Sequence, residues 1–113
     1  MQTTTLTGIQ ATSGVGTSLA SIGGFTAGSG GATISYLGIA NTTASTPITV
    51  SVTVYNGTTD YYLAKNYSLA AGDTLNVLGE SGSRLVLASG WSVRASASIA
   101  GDCDAVMAVT SYT

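Results

Sequence analysis

Histidine is absent, and cysteine, proline, phenylalanine and tryptophan occur once each in 113 residues. Without an imidazole, no side chain titrates near neutral pH unless its environment forces it, and neither a Ser-His-Asp nor a Cys-His arrangement can form. The lone thiol, Cys103, excludes an internal disulfide and a thiolate metal cluster, and is expected to be buried and inert.

Charge is as scarce. Three basic and five acidic residues make up 7% of the chain, where soluble domains carry about 25%. Lys65, Arg84 and Arg94 form no run, so the basic footprint that nucleic acid requires is missing. No stretch approaches the roughly 20 apolar residues of a membrane-spanning helix, so neither nucleic acid nor membrane is an expected partner. The opening "MQTTTLTGIQ" has no basic segment followed by an apolar one, so it does not read as a secretory signal, and cytosolic synthesis is expected.

Of the acidic residues Asp60, Asp73, Glu80, Asp102 and Asp104, only the last two are near neighbours. A calcium ion wants about six to eight oxygens, and a glycosidase pair must straddle a cleft; Asp102 and Asp104 read instead as a turn residue and a strand end. "GSGGATISY" lacks the Lys-Ser/Thr of a phosphate-binding loop. No catalytic residue, metal or cofactor is expected, and the chain is not expected to be an enzyme.

What is abundant is glycine, serine and threonine, beside a hydrophobic fraction of 44%. Such a domain stays soluble through neutral polar groups, or has much of its surface covered by neighbours. Residues 1–31, ending in "GGFTAGSGG", predict an N-terminal arm or extended loop, because repeated glycine penalises regular structure. One short helical turn, capped by Thr17 or Ser18, is expected within 17–24. From residue 32 to 113 the period is close to two. Ile48, Val50, Val52 and Val54 share one strand face, and Trp91, Val93, Ala95, Ala97 and Ile99 another. Further strands are expected at 32–41, 59–65, 73–79, 83–89 and 104–112, with turn signals between them. The expected fold is all-β: an antiparallel β-sandwich or jelly-roll-like barrel of about seven to eight strands.

Asn56-Gly57 predicts a tight turn that sends Tyr61 and Tyr62 to opposite faces, one inward and one outward. Trp91 is expected in the core, which disfavours a sugar-binding platform. The sequons at Asn41, Asn56 and Asn66 carry no weight in so Ser/Thr-rich a chain.

Residues 41–112 resemble a family of small all-β structural proteins of tailed-bacteriophage virions, found as capsid cement or decoration proteins and as neck or tail components. The likeness lies in an ordered set of features: "DYYL" and a following Lys-Asn, a small-residue turn into "DTLNVLG", "RLVL", and an alternating strand closed by "GDCDAVMAVTSY". Trp91 departs from the family, in which an acidic residue is common after the glycine. The resemblance implies a virion location after assembly in a host cytoplasm, a major capsid protein or other virion protein as partner, and a homo-oligomer, with a trimer the first expectation. It brings no catalytic residues. The interface is expected at the apolar residues of the arm, Leu6, Ile9, Leu19, Ile22 and Phe25, and at the outward tyrosine of Tyr61 and Tyr62. A glycan-binding β-sandwich is the alternative from another class.

Overall fold

The computed structural model describes residues 5–79 and 84–112. Nine strands occur in chain order: β1 (Thr5–Thr12), β2 (Ala20–Ser21), β3 (Ala32–Asn41), β4 (Ile48–Tyr55), β5 (Asp60–Leu69), β6 (Thr74–Asn76), β7 (Leu85–Leu87), β8 (Ser92–Ala97) and β9 (Cys103–Tyr112). A 3-10 turn spans Ile22–Gly24. The first sheet has the order β1-β9-β3-β6, with β7 also pairing β3, and the second has the order β2-β8-β4-β5.

All pairs are antiparallel, and all but β3–β9 and β4–β8 nest. Thr5 lies opposite Tyr112, Ala20 opposite Ala95, Gly38 opposite Asn76 and Tyr55 opposite Asp60. Each pair straddles the same Asn56–Thr59 turn almost symmetrically. The chain is therefore one long hairpin, rolled until β9 meets β3 and β8 meets β4. With β7 set aside this is the strand order of a jelly roll, a two-sheet sandwich. The turn at its apex is a four-residue loop. Asn56 donates its N–H to Thr59 O, its side-chain oxygen accepts from the N–H groups of Thr58 and Thr59, and Gly57 takes φ 99°.

The core lies between the sheets. Ile34, Leu37 and Ile39 from β3 meet Val50, Val52, Val93 and Met107, all at most 1% exposed. β4 runs between β5 and β8, so its polar face is covered as well, and Ser51 and Thr53 are buried. Val93, Ala95 and Ala97 are buried as their alternation predicts. Ile99, beyond the end of β8, is 43% exposed, and Trp91 is only partly buried against the core.

Residues 1–31 differ most from expectation. Where an arm was expected, β1 pairs with β9 over eight consecutive residues and β2 pairs with β8. Val15, Ile22 and Ala27 are in the core. The intervening backbone is bonded across the sandwich: Val15 N–H to Cys103 O, Ala27 N–H to Trp91 O and Ala97 N–H to Gly16 O. The physical reason is an inverted pattern. In register with Met107 and Val109 of the core, β1 offers Gln10 and Gly8, while Ile9 and Ala11 face away, opposite Ala108 and Val106. The expected helical turn at 17–24 is confined to Ile22–Gly24, and the Ser21 side chain makes no cap. Gly23, at φ 62°, lies so close to Gln10 and the Ala11 nitrogen that a Cβ would meet them near 3 Å.

Asn41 closes one end of the sandwich. It is buried, its amide donates to Thr46 O (2.9 Å) and Leu69 O (3.1 Å), and its oxygen accepts from the Thr43 N–H (3.0 Å) and hydroxyl (2.7 Å). One side chain thus links β3 of the first sheet to β5 of the second. With its nitrogen bonded inside the protein, this sequon is closed to glycosylation in the folded state.

Candidate interaction surfaces

The two outer faces of the sandwich have opposite chemistry. On the second sheet, the face holding Ser51, Thr53, Ser96 and Arg94 is polar and internally bonded. Arg94 Nη1 contacts both carboxylate oxygens of Asp60 (3.0 and 3.2 Å), and Nη2 donates to Leu19 O at 2.8 Å. Thr53 donates its hydroxyl to Asp60 Oδ1 at 2.7 Å, and the guanidinium stacks 4.4 Å from the Tyr55 ring centroid. This ion pair is partly shielded, at 24% and 23% exposure. It ties the start of β5 to β8 and to the loop before β2. A shallow depression of about 180 Å³ on the same face is lined by neutral groups, among them Thr17, Thr49, Ser51, Asn66 and Ser98.

β5 is an edge strand, and it is blunted. Its register with β4 slips on both sides of Val52, Asn66 takes φ 50°, and the Asn66 N–H turns to Ser51 Oγ. Bulges and charge of this kind protect an edge from pairing with another strand. Its side chains are nonetheless open: Tyr61, Tyr62, Leu63 and Tyr67 are 40–51% exposed. Tyr61 and Tyr62 do occupy opposite faces, in register with Val54 and Thr53, but neither is buried, in contrast to the expected inward ring. An edge strand has a neighbour on one side only. Tyr61 stacks on Trp91 with centroids 6.2 Å apart and planes 13° from parallel, and Lys65 Nζ lies 5.0 Å from the centroid of Tyr62.

The other expected anchors scatter. Ile9 is open, at 64% exposure. Leu19 is half-buried, and its carbonyl belongs to the Arg94 cluster. Ile22 is a core residue at 1% exposure, which removes it as an interface anchor, and Phe25 packs partly buried against the core. The side chain of Leu6 lies outside the described residues, as does Glu80.

Asp102 and Asp104 behave as structural groups. Asp104 Oδ1 accepts the Gly14 N–H at 2.9 Å, and the Asp102 carbonyl accepts the N–H and hydroxyl of Thr42. Between them, Cys103 is fully buried; burial, with the two flanking carboxylates, pushes its thiol up to about 11. Among the described residues no group of three or more Asp, Glu, Cys or His could hold a metal.

Sequence reasoning missed the outer face of the first sheet. There Ile9, Ala108 and Tyr36 form one cross-strand row, Ala11, Val106 and Gly38 a second, and Thr110, Thr33 and Val86 a third. Tyr36 reaches over Gly38, where any Cβ would collide with its ring and hydroxyl. The available signal was "AVMAV" at 105–109: a strand apolar at five successive positions is apolar on both faces. Compared with known proteins, the chain matches no family model, no curated protein and no solved structure.

Proposed function

We propose that the protein is a non-enzymatic structural component of a bacteriophage virion, a capsid cement or decoration protein that binds the shell as an oligomer and stabilises it. The supporting observation is a jelly roll with almost no charge whose exposed side chains include rigid aromatic and aliphatic anchors. Jelly rolls build viral shells and lectins, which is an analogy of fold and not of site. In a lattice, neutral hydroxyl-rich and apolar faces pack without desolvating charges, a cost that buried ion pairs often fail to recover. Tyr61, Tyr62 and Tyr67 supply large, stiff contact area with little rotamer freedom to lose. A neck or tail position makes the same demands. The test is to locate the protein in purified particles by mass spectrometry and electron-microscopy reconstruction, then to strip and rebind it. Rebinding should restore heat tolerance, and Tyr62→Ala should lower occupancy. Absence from particles, or occupancy without any gain in tolerance, would reject the cement role.

One observation favours a second reading, a glycan-binding module. The Tyr61–Trp91 stack is partly open to solvent, and paired parallel rings can present a flat apolar surface to a sugar. A glycan array reads this directly: binding that disappears in a folded Tyr61→Ala variant would favour it, and an empty array would remove it.

A further inference from the structure

Among the described residues, no element packs over the outer face of the first sheet. Ile9 and Val86 are 64% and 75% exposed, and Tyr36 is 39% exposed. On the opposite outer face of the sandwich, Arg94, Asp60 and Thr53 satisfy one another. This contrast asks what covers the apolar side.

Charge narrows the occupant. Across the strands β1, β3, β6, β7 and β9, Asp104 is the one charged residue, and it sits at one end with its carboxylate bonded to Gly14. The charges lie at the margins, Asp104 at one end and the exposed Arg84 just before β7, so the centre of the face offers nothing to attract a basic or acidic partner and two copies can meet on it without like charges opposed there. Size gives a second argument. Eight residues of β1, ten each of β9 and β3 and three each of β6 and β7, rising about 3.3 Å per residue on strands about 4.8 Å apart, make a face of about 540 Å². Two such faces remove about 1,100 Å² from water, just above the roughly 1,000 Å² that a biological interface should clear. Tyr36, whose ring reaches over Gly38, is an aromatic near the middle, the type of side chain that anchors interfaces.

We propose that this face is a self-association surface: a second copy of the chain packs the outer face of its own first sheet against it across a two-fold axis. Two flat faces laid on each other close at two copies, so the product is a dimer. The surface is separate from the tyrosines of β5, which remain free for another partner.

Sedimentation velocity on the full chain, across a hundredfold concentration range, tests this without any particle, so the result is independent of the virion reading. A concentration-dependent dimer is expected. Ile9→Lys and Val106→Lys should each weaken it at least tenfold, while Tyr62→Ala leaves it unchanged. Far-ultraviolet circular dichroism checks the fold of each variant. Ile9 is so exposed that Ile9→Lys keeps the test decisive even if Val106→Lys does not fold. A wild-type monomer at every concentration, a trimer, or a dimer indifferent to Ile9→Lys would each overturn the proposal, and dissociation by Tyr62→Ala would move the interface to β5.

Discussion

Replacing Ile22 by alanine asks whether the first thirty residues belong to the sandwich. Ile22 is 1% exposed and lies between β1 and β8, beside a small void of about 20 Å³ lined with Thr12, Val15 and Ala95. Three carbons are lost, which at about 0.8 kcal/mol each removes about 2.4 kcal/mol of transfer free energy. Any space that fails to collapse adds to this. A residual cavity of about 50 Å³ contributes about 1.2 kcal/mol at about 24 cal/mol per Å³. The expected cost is therefore about 3.5 kcal/mol. Urea unfolding followed by the fluorescence of Trp91, the one tryptophan, and by circular dichroism should give coincident transitions shifted by this amount. Ser13→Ala, on an exposed bend, serves as the control and should change stability by less than about 0.5 kcal/mol. A loss below about 1 kcal/mol for Ile22→Ala would refute the reasoning, because the smallest core truncations of this size cost about 2 kcal/mol. It would restore the arm.

Three further perturbations probe other parts of the fold. The Cys103 thiol, raised from its ordinary 9.0 to about 11 mainly by burial, keeps its proton folded while the unfolded chain loses it. Its contribution is flat well below pH 9, and stability then falls by about 2 kcal/mol on approaching pH 11; Cys103→Ala should remove that extra slope, and parallel wild-type and variant curves would contradict it. Asn41→Ala takes the side-chain partner from the buried Leu69 carbonyl, while Thr46 O keeps the Thr43 hydroxyl, and should cost about 1–3 kcal/mol in denaturant unfolding, the cost of one buried group left without a partner. Arg94→Ala leaves a partly shielded Asp60 with Thr53 alone and should cost about 1–3 kcal/mol; a neutral result would mean that water replaces the guanidinium fully.

The sequence was most legible where apolar residues recur between turn signals. β3 at 32–41 and β4 at 48–55 have the expected bounds, although β4 is buried on both faces, and β8 and β9 differ by a residue or two. β1 escaped because its core-facing positions hold Gly8 and Gln10 while Ile9 faces out, so alternation there points the wrong way. The strand expected at 73–79 contracts to Thr74–Asn76, since the Gly79 N–H turns back to Asn76 O and closes a turn. Of the expected anchors, Ile9, Tyr61 and Tyr62 are open. Ile22 is not, because an isolated apolar residue before a pair of glycines looks the same in an arm as in a 3-10 turn pressed between two sheets. The Arg94–Asp60–Leu19 cluster joins residues far apart in the chain, and pairing at that distance leaves no local trace.

The nesting of the β4–β5, β3–β6, β2–β8 and β1–β9 pairs about the Asn56–Thr59 turn imposes a chronology on folding. Closing β4 on β5 spans a handful of residues, whereas joining β1 to β9 brings Thr5 to Tyr112, and loop-closure entropy grows with the enclosed length. If each inner pair forms first, it shortens the effective loop that the next must close, so the hairpin can zip outward from its apex. On the ribosome the apex emerges while β9 is still unmade, and β1, synthesised first, must wait longest for its partner. Pulse-labelled hydrogen exchange should then protect amides of β4 and β5 early and those of β1 last. Until that final pairing, the aliphatic edge of the first sheet stays unsealed in the nascent chain, the interval in which a chaperone has most to hold.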